Sequence, residues 1–315
     1  MKPRRWRDNM LTVFSIPKPF TGHIGVIQRN AIASWTRLVG NPEVILFGDE
    51  EGIEEAAREL GVRHVPDINR NEWGTPLLDN VFAQAQALAS HDLLCYANAD
   101  MILLDDLVEA LSLVASRRKQ FLLTGQRRNV DITTPLSFAN GWQRSVRELA
   151  ERGKLYGPYA MDYFAFRRGM WPAIPPFAVG RACWDNWMVF SAKHRGDPVI
   201  DATRAVLAVH QNHSYAHIQH ATDGKDWSYS GPEAERNRAL AGGWNAVFSL
   251  YDANYLLVRG RIIRALTYQH LKRQAFPRIR AFLKKVRRRA LPRARFLRLF
   301  YFVTRQPERA RDLPR

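Results

Sequence analysis

The stretch HDLLCYANADMILLDDLVEAL, residues 91–111, decides how the rest of the chain is interpreted. It opens with the apolar run LLCYA, residues 93–97, which has the length of a buried parallel strand and not of a helix. Asn98 and Asp100 break this run, and Asp105-Asp106 then suit the N-cap and first turn of an amphipathic helix. We therefore predict that Asn98 and Asp100 lie at the carboxyl end of a buried strand, where open α/β sheets bind ligands.

Asp100 has no cation near it in the sequence, so its charge needs a partner from elsewhere. A divalent metal or a ligand hydroxyl would supply that partner. The alternative is that Asp100 caps the following turn, as an isolated Asp at a strand end often does. Both interpretations stay open at this point, and the remaining motifs favour the first.

Apolar runs and helical patterns alternate on both sides of this stretch. The predicted strands are 11–16, 43–47, 63–65, 93–97, 120–124, 163–166, 198–200 and 205–209. The predicted helices are 24–39, 51–60, 105–118, 142–152, 184–192 and one that starts at the Thr75-Pro76 cap and ends near Ala89. Such alternation predicts an α/β fold with a mostly parallel sheet flanked by helices.

The composition excludes several classes of protein. With 315 residues, 46% of them hydrophobic, the chain can bury a substantial core. Two cysteines, Cys95 and Cys183, are too few for a disulfide framework or a cysteine metal site, which indicates a reducing, cytosolic compartment. We find no secretory signal and no run of about 20 apolar residues. The absence of G-x-G-x-x-G and G-x-x-x-x-G-K argues against a dinucleotide site and a P-loop.

The net charge of +17 is unevenly distributed. Residues 254–315 hold 19 Lys or Arg and 2 Asp or Glu, whereas residues 1–253 hold 28 of each sign. We predict a globular domain at 1–253, a basic amphipathic helical extension at 254–305 and a disordered tail at 306–315. Apolar residues at helical spacing between the cations of 255–303 suit an anionic membrane surface at the inner face. The main alternative is a tail that is merely solvated or docks on a partner; a nucleic-acid patch is the remaining alternative, and nucleic-acid binding is not expected.

Two further groups could act together with Asp100. Histidines 210, 213 and 217 follow the predicted strand 205–209, so one of them could complete a metal site, although ordinary loop histidines are the alternative. Asp185 stands between Trp184 and Trp187, and a carboxylate beside aromatic surface tends toward a raised pKa, which suits a general base. Alternatively, Asp185 is only the N-terminal Asp of a helix, where the helix dipole favours its negative charge.

Several of these motifs, taken in order, resemble the GT-A-type nucleotide-sugar glycosyltransferases over about residues 10–220. The motifs are Phe14–Lys18, Gly48-Asp49, Asn98-Ala99-Asp100, FRRG followed by WDNW within 166–187, and the late VHQNH. The resemblance implies a GT-A-like (Rossmann-like) fold. It also implies transfer of a sugar from a nucleotide-diphosphate donor to a glycan or lipid-linked acceptor, for example in polysaccharide biosynthesis.

The resemblance also implies a role for individual residues. Asn98-Ala99-Asp100 stands where a D-x-D motif binds Mg²⁺ or Mn²⁺, with Asn in place of the first Asp. Asp100 is therefore the expected metal ligand, completed by His210 or His213. The residues expected to bind the donor are Ser15, Pro17, Asp49, Asn98 and Asp100. Asp185 is the expected base, and the residues expected to bind the acceptor are Asp162, Trp184 and Trp187.

Two other functions are the alternatives. A sugar nucleotidyltransferase needs a glycine-rich basic loop after the first strand, whereas SIPKPF has one Lys and no Gly before Gly22. A non-catalytic carbohydrate- or membrane-binding module would bind a glycan without consuming a donor. The donor, the acceptor and the stereochemical outcome are left open by the sequence.

Overall fold

The computed structural model describes residues 11–213 and 231–276, together with 279 and 282. The chain divides into two compact units, Met1–Arg264 and Ala265–Arg315.

The strands are β1 Leu11–Ser15, β2 Glu43–Phe47, β3 Arg63–Val65, β4 Leu93–Ala97, β5 Met101–Ile102, β6 Leu122–Thr124, β7 Arg127–Val130, β8 Lys154–Leu155, β9 Tyr163–Arg167, β10 Val199–Asp201, β11 Ala208–Gln211, β12 Tyr255–Val258 and β13 Arg261–Arg264. The helices are α1 Gly22–Thr36, α2 Ile53–Leu60, α3 Leu78–Leu88, α4 Asp105–Ala115, α5 Trp142–Glu151, α6 Trp184–His194, α7 Pro232–Ala241 and α8 Tyr268–Gln274, with 3-10 helices at Trp244–Ala246 and Leu250–Asp252.

The larger sheet has nine strands in the order β13-β12-β10-β6-β9-β4-β1-β2-β3. Strands β1, β2, β3 and β4 are parallel to their neighbours on one side, and β6, β10 and β12 are parallel on the other. Between these halves β9 runs antiparallel to both β4 and β6. The predicted α/β fold with a mostly parallel sheet is confirmed.

Both faces of the larger sheet are buried. In β4, Leu93 and Cys95 belong to one apolar cluster, whereas Leu94 and Tyr96 belong to another. Alternate residues of a strand point to opposite faces, so each cluster covers one face of the sheet. This double burial explains why the central strands read as continuous apolar runs.

The smaller sheet has the order β5-β11-β7-β8. It packs against α5 through a small apolar cluster that includes Val130, Val146 and Val209. Its strand β5 begins directly after Asp100, and Met101 of β5 pairs with His210 of β11. The turn between β4 and β5 therefore joins the two sheets and brings Asp100 beside His210, although 109 positions separate Met101 from His210 in the sequence.

Two predicted element boundaries are wrong. Helix α3 begins at Leu78 and not after Thr75, because Leu77 forms a β-bridge with Ala178 and the Val179 N–H donates to the Pro76 carbonyl. Strand β11 covers Ala208–Gln211, so His210 lies within a strand and not after one.

Residues 254–264 do not start a helix. They form β12 and β13, which pair antiparallel at the edge of the larger sheet. In the second unit, α8 carries Lys272 and Arg273 in its last turn, and the Leu266 side chain is 66% exposed. The remaining residues of the predicted extension, apart from 279 and 282, and the predicted disordered tail at 306–315 lie outside the described residues. None of the helices in the described part of the chain is long and apolar enough to cross a membrane.

Candidate active site

A carboxylate and two imidazoles meet where β4 ends. The Nε2 atom of His213 lies 3.0 Å from Asp100 Oδ2, and Nε2 of His210 lies 3.5 Å from the same oxygen. One donor atom from each of these three residues falls within 4.8 Å of the other two. The structure therefore brings together the three predicted metal ligands, while His217 lies outside the described residues.

The charge of Asp100 is stabilised although the group is buried. Burial alone would raise the pKa of Asp100. The charge and hydrogen bond of His210, the hydrogen bond of His213 and the charge of Lys18 outweigh that effect and hold the pKa of Asp100 well below the usual range. Asp100 Oδ1 and His210 Nδ1 are buried without a hydrogen-bond partner among the described residues. Two buried, unsatisfied ligand atoms in one cluster fit a site that holds a cation.

A buried glutamine fixes the backbone of this turn. Gln211 is fully buried; its backbone N–H donates to the Asp100 carbonyl at 3.2 Å, as does its side-chain amide. The same amide donates to the Ile27 carbonyl, and its Oε1 accepts a hydrogen bond from Asn30. Helix α1 therefore positions the residues next to Asp100, a role that no sequence pattern indicated.

Lys18 is a further residue of the site. Burial lowers the pKa of Lys18, the charge of Asp100 raises it, and the charge of Arg181 lowers it. The Gln28 side chain fixes its backbone: Lys18 N–H donates to Oε1 at 2.7 Å, and Nε2 donates to the Lys18 carbonyl at 2.8 Å. The sequence feature that could have indicated this role is the single lysine of SIPKPF, directly after β1.

Asn98 contacts a second carboxylate. Its side-chain amide donates to Asp162 Oδ1 at 2.8 Å, and its backbone N–H donates to the Asp162 carbonyl at 2.9 Å. Arg127 Nη1 lies 2.7 Å from the same Oδ1, and both side chains of this ion pair are more than nine-tenths buried. The other oxygen, Asp162 Oδ2, is buried without a hydrogen-bond partner among the described residues. Asn98 is thus engaged with a carboxylate, which an Asp at this position would repel.

Asp185 lies in the first turn of α6, next to Asp162. Burial raises the pKa of Asp185 to about 7; backbone N–H groups, including those of Asn186 and Met161, oppose the rise, and the charge of Asp162 adds to it. The preceding N-cap residue, Cys183, has φ +80°, a left-handed conformation that a side chain disfavours. A carboxyl with a pKa near neutrality is suited to accept a proton.

The other predicted donor residues lie after β1 and β2. Ser15 is fully buried, and its hydroxyl donates to the Ala97 carbonyl at 2.6 Å, so contact with a ligand would require that bond to be given up. Pro17 is buried beside Lys18. Asp49 is largely exposed and forms an ion pair with Arg70, which lowers its pKa. In the larger sheet β1 lies between β2 and β4, so Asp49 follows a strand that is not adjacent to the strand before Asp100.

The aromatic residues near Asp185 are arranged differently from the prediction. Trp184 is only 6% exposed and its ring packs against Tyr96 and Phe164, so it is a core residue and offers no face to an acceptor. Trp187 is partly buried against other aromatic rings. Tyr156 and Tyr159 are instead 44% and 49% exposed. No pattern in the sequence distinguished these tyrosines from the tryptophans.

Comparisons with known proteins find similarity in structure only. No protein-family model and no curated protein matches the chain. Among solved structures, it is similar to glucosyl-3-phosphoglycerate synthase from Mycobacterium tuberculosis in complex with phosphoglyceric acid, with 14% identity, a TM-score of 0.44, and coverage of 76% of this chain and 80% of that chain. It is also similar to a mannosyltransferase from Pyrobaculum calidifontis in complex with GDP-Man and Mn²⁺, with 13% identity, a TM-score of 0.42, and coverage of 96% and 82%.

Identities of 14% and 13% with TM-scores of 0.44 and 0.42 do not indicate a function, so the function is inferred from the geometry of the site.

Proposed function

We propose that the protein is a divalent-metal-assisted glycosyltransferase that moves a sugar from a nucleotide-diphosphate donor to a hydroxyl of a glycan or lipid-linked acceptor. The observation that supports this proposal most directly is the pair of carboxylates at one end of the sheet. Asp100 is kept ionised among imidazoles, and Asp185 has a pKa near 7. Asn98 and Asp162 connect them, because Asn98 lies two residues before Asp100 and bonds to Asp162, whose charge acts on Asp185.

The ligand set fits a cation of the Mn²⁺ type. Asp100, His210 and His213 would hold it through one carboxylate and two imidazoles. Oxygen ligands alone suit Mg²⁺, whereas imidazole favours transition metals, so Mn²⁺ is the expected preference of the two. When bound, a divalent cation stabilises the negative charge of a leaving diphosphate. Lys18 supplies a further positive charge beside Asp100 for the same phosphates.

Asp185 serves as the general base. It accepts the proton of the acceptor hydroxyl while that oxygen bonds to the anomeric carbon, and the bond from that carbon to the diphosphate oxygen breaks. The nucleoside diphosphate leaves with the electron pair of the broken bond. Because the pKa of Asp185 is about 7, the group is substantially ionised near neutral pH and still basic enough to take the proton.

The acceptor would lie over the segment that carries Tyr156, Tyr159 and Asp162. The Tyr156 ring lies 4.8 Å from the guanidinium carbon of Arg127, which pairs with Asp162. The Tyr159 carbonyl accepts a hydrogen bond from Asn186, the neighbour of Asp185. The exposed side chains of Tyr156 and Tyr159 suit stacking against a sugar ring. Asp162 itself is only 7% exposed, so it would act on the acceptor through its charge on Asp185 and not by direct contact.

The basic C-terminal region would place the enzyme at an anionic membrane surface, on the cytoplasmic side. Since 255–264 form strands of the larger sheet, the region proposed to bind the membrane is 265–303, which combines many cations with apolar residues at helical spacing. Among its described residues, Leu266 is 66% and Phe282 64% exposed. Polysaccharide biosynthesis at the membrane is the setting that this arrangement suits.

Calorimetry with UDP and GDP, each with Mn²⁺, Mg²⁺ or EDTA, tests the donor site. We expect binding of one nucleotide that depends on metal and is tighter with Mn²⁺. Incubation with the corresponding nucleotide sugars should then release the nucleoside diphosphate only when a hydroxyl acceptor is present. A protein that binds neither nucleotide with either metal is not this enzyme. A protein that binds a glycan alone is a carbohydrate-binding module.

A further inference from the structure

A cluster of four cations lies at the end of the larger sheet where β4 and β6 begin. The candidate active site lies at the other end of β4. Arg167 of β9 pairs with Leu93, the first residue of β4, whereas Asn98 and Asp100 follow its last residue. Arg117, Arg118 and Lys119 lie between the end of α4 and the start of β6. Because β4 and β6 both run antiparallel to β9, the starts of both strands lie at this same edge.

These four side chains line one concavity of about 380 Å³, together with Ala115 and Ser116. This volume is at the lower end of the range for small-ligand sites. No carboxylate lines it. In the described part of the chain, none of the four cations forms an ion pair, which is an unfavourable arrangement without a counter-charge.

The guanidinium groups of Arg118 and Arg167 each have a defined contact and an N–H donor that remains unused within the described residues. Arg167 Nη2 donates to the Ala115 carbonyl at 3.2 Å, which satisfies one acceptor at the end of α4. The Arg118 guanidinium lies 5.0 Å from the Tyr255 ring centroid. The Nε atoms of both arginines are buried and find no acceptor among the described residues. Helix capping therefore explains one hydrogen bond of this cluster and leaves the buried Nε–H groups unexplained.

We propose that the concavity formed by Arg117, Arg118, Lys119 and Arg167 binds a phosphate group, carried by a free phosphorylated molecule or by the headgroup of an anionic lipid. Guanidinium groups match phosphate oxygens in geometry and charge, and an ammonium adds a further donor. A phosphate would neutralise the cluster and accept hydrogen bonds from the exposed side chains of Arg117 and Lys119. This site is separate from the proposed donor site and does not depend on the proposed function.

The test removes the two exposed cations, Arg117→Gln with Lys119→Gln, and leaves the two partly buried arginines in place. The matched control removes two exposed cations elsewhere, Arg152→Gln with Lys154→Gln. Inorganic phosphate is titrated by calorimetry in EDTA, so that the metal-dependent site does not contribute. Vesicles of phosphatidylcholine, with and without phosphatidic acid, are used in a parallel sedimentation assay with the full chain.

For a free phosphate ligand, we expect the wild-type protein and the control to bind inorganic phosphate and the test variant to bind at least about tenfold more weakly. For a lipid headgroup, only the vesicles with phosphatidic acid bind, and the test variant loses roughly 30-fold in partitioning relative to the control. Equal binding by the test variant and the control in both assays, or no binding by the wild-type protein, overturns the proposal. Metal-dependent nucleotide binding, measured in the same variants, should not change.

Discussion

Two carboxylates at the same edge of the sheet have opposite electrostatic environments. Around Asp100, two imidazoles and Lys18 keep the pKa low in spite of burial. Around Asp185, burial and the nearby charge of Asp162 raise the pKa to about 7. The residue type is the same in both places, so the difference in role comes from the neighbours: one carboxylate stays charged to hold a cation, and the other can exchange a proton.

The largest effect is expected for Asp100→Asn, which leaves the imidazoles without their carboxylate. Metal-dependent nucleotide binding should disappear and transfer should fall by about 10⁴-fold or more, since cation stabilisation of the leaving group contributes several kcal/mol. Calorimetry with Mn²⁺ and an assay of nucleoside diphosphate release measure both. Asp92→Asn, at an exposed position, is the control. Mn²⁺-dependent nucleotide binding by the Asp100 variant would show that Asp100 is not the metal ligand.

Asp185→Asn should affect catalysis and not donor binding. We expect the turnover number to fall by about 10²–10⁴-fold, the usual contribution of a general base, with the nucleotide Kd unchanged. In the wild-type enzyme the rate should increase with pH and level off above about 7, because the base must be ionised. A variant that retains full turnover, or a wild-type profile that is flat between pH 5 and 8, contradicts the assignment.

The same Asp185→Asn substitution should stabilise the protein at high pH. The folded state holds the proton up to about pH 7, whereas the unfolded state loses it near pH 4. Stability is therefore lost as pH increases from about 4 to 7, by at most about 4 kcal/mol. Thermal unfolding should show that the melting temperature of the variant, relative to that of the wild-type protein, is higher at pH 8 than at pH 5. No difference between the two pH values would mean that this carboxyl is not perturbed.

The smallest effect is expected for Asn98→Asp, which tests the connection between Asp100 and Asp185 through Asn98 and Asp162. It restores the D-x-D pattern but replaces a donor to Asp162 Oδ1 by a second carboxylate, so we expect a loss of about 2 kcal/mol and no gain in Mn²⁺ affinity. The double variant Asn98→Asp with Asp162→Asn exchanges donor and acceptor and should recover part of that loss. Denaturant unfolding of the four proteins gives the coupling energy. Improved metal binding by the single variant would show that residue 98 is a ligand.

The sequence predicted the centre of the fold better than its edges. Residues 93–97 are apolar on both faces and end in polar residues, so the strand, its burial and the position of Asp100 followed from local pattern. The role of Asn98 did not, because its partner Asp162 is 64 positions away and lies directly before the antiparallel strand β9. Similarly, the exposed faces of Tyr156 and Tyr159 and the burial of Trp184 depend on tertiary packing, which periodicity does not encode.

The error at 254–264 has a local cause. Arginines and apolar residues alternate there in a way that also fits a helix, and the basic composition of the following region favoured that interpretation. The missed signal was Arg259-Gly260, between two short apolar runs. Both residues have positive φ, 47° and 68°, as in a two-residue hairpin turn. Such a turn requires strands on both sides.

The antiparallel insertion of β9 has a consequence for biosynthesis. Strand β4 obtains its second neighbour only when residues Tyr163–Arg167 have been made, well after its own residues. At about 5–20 residues per second, the ribosome leaves one edge of this apolar strand uncovered for several seconds. An uncovered strand edge is a template for pairing with other chains, so nascent chains that stall before Tyr163 should be the ones that need chaperones and that aggregate.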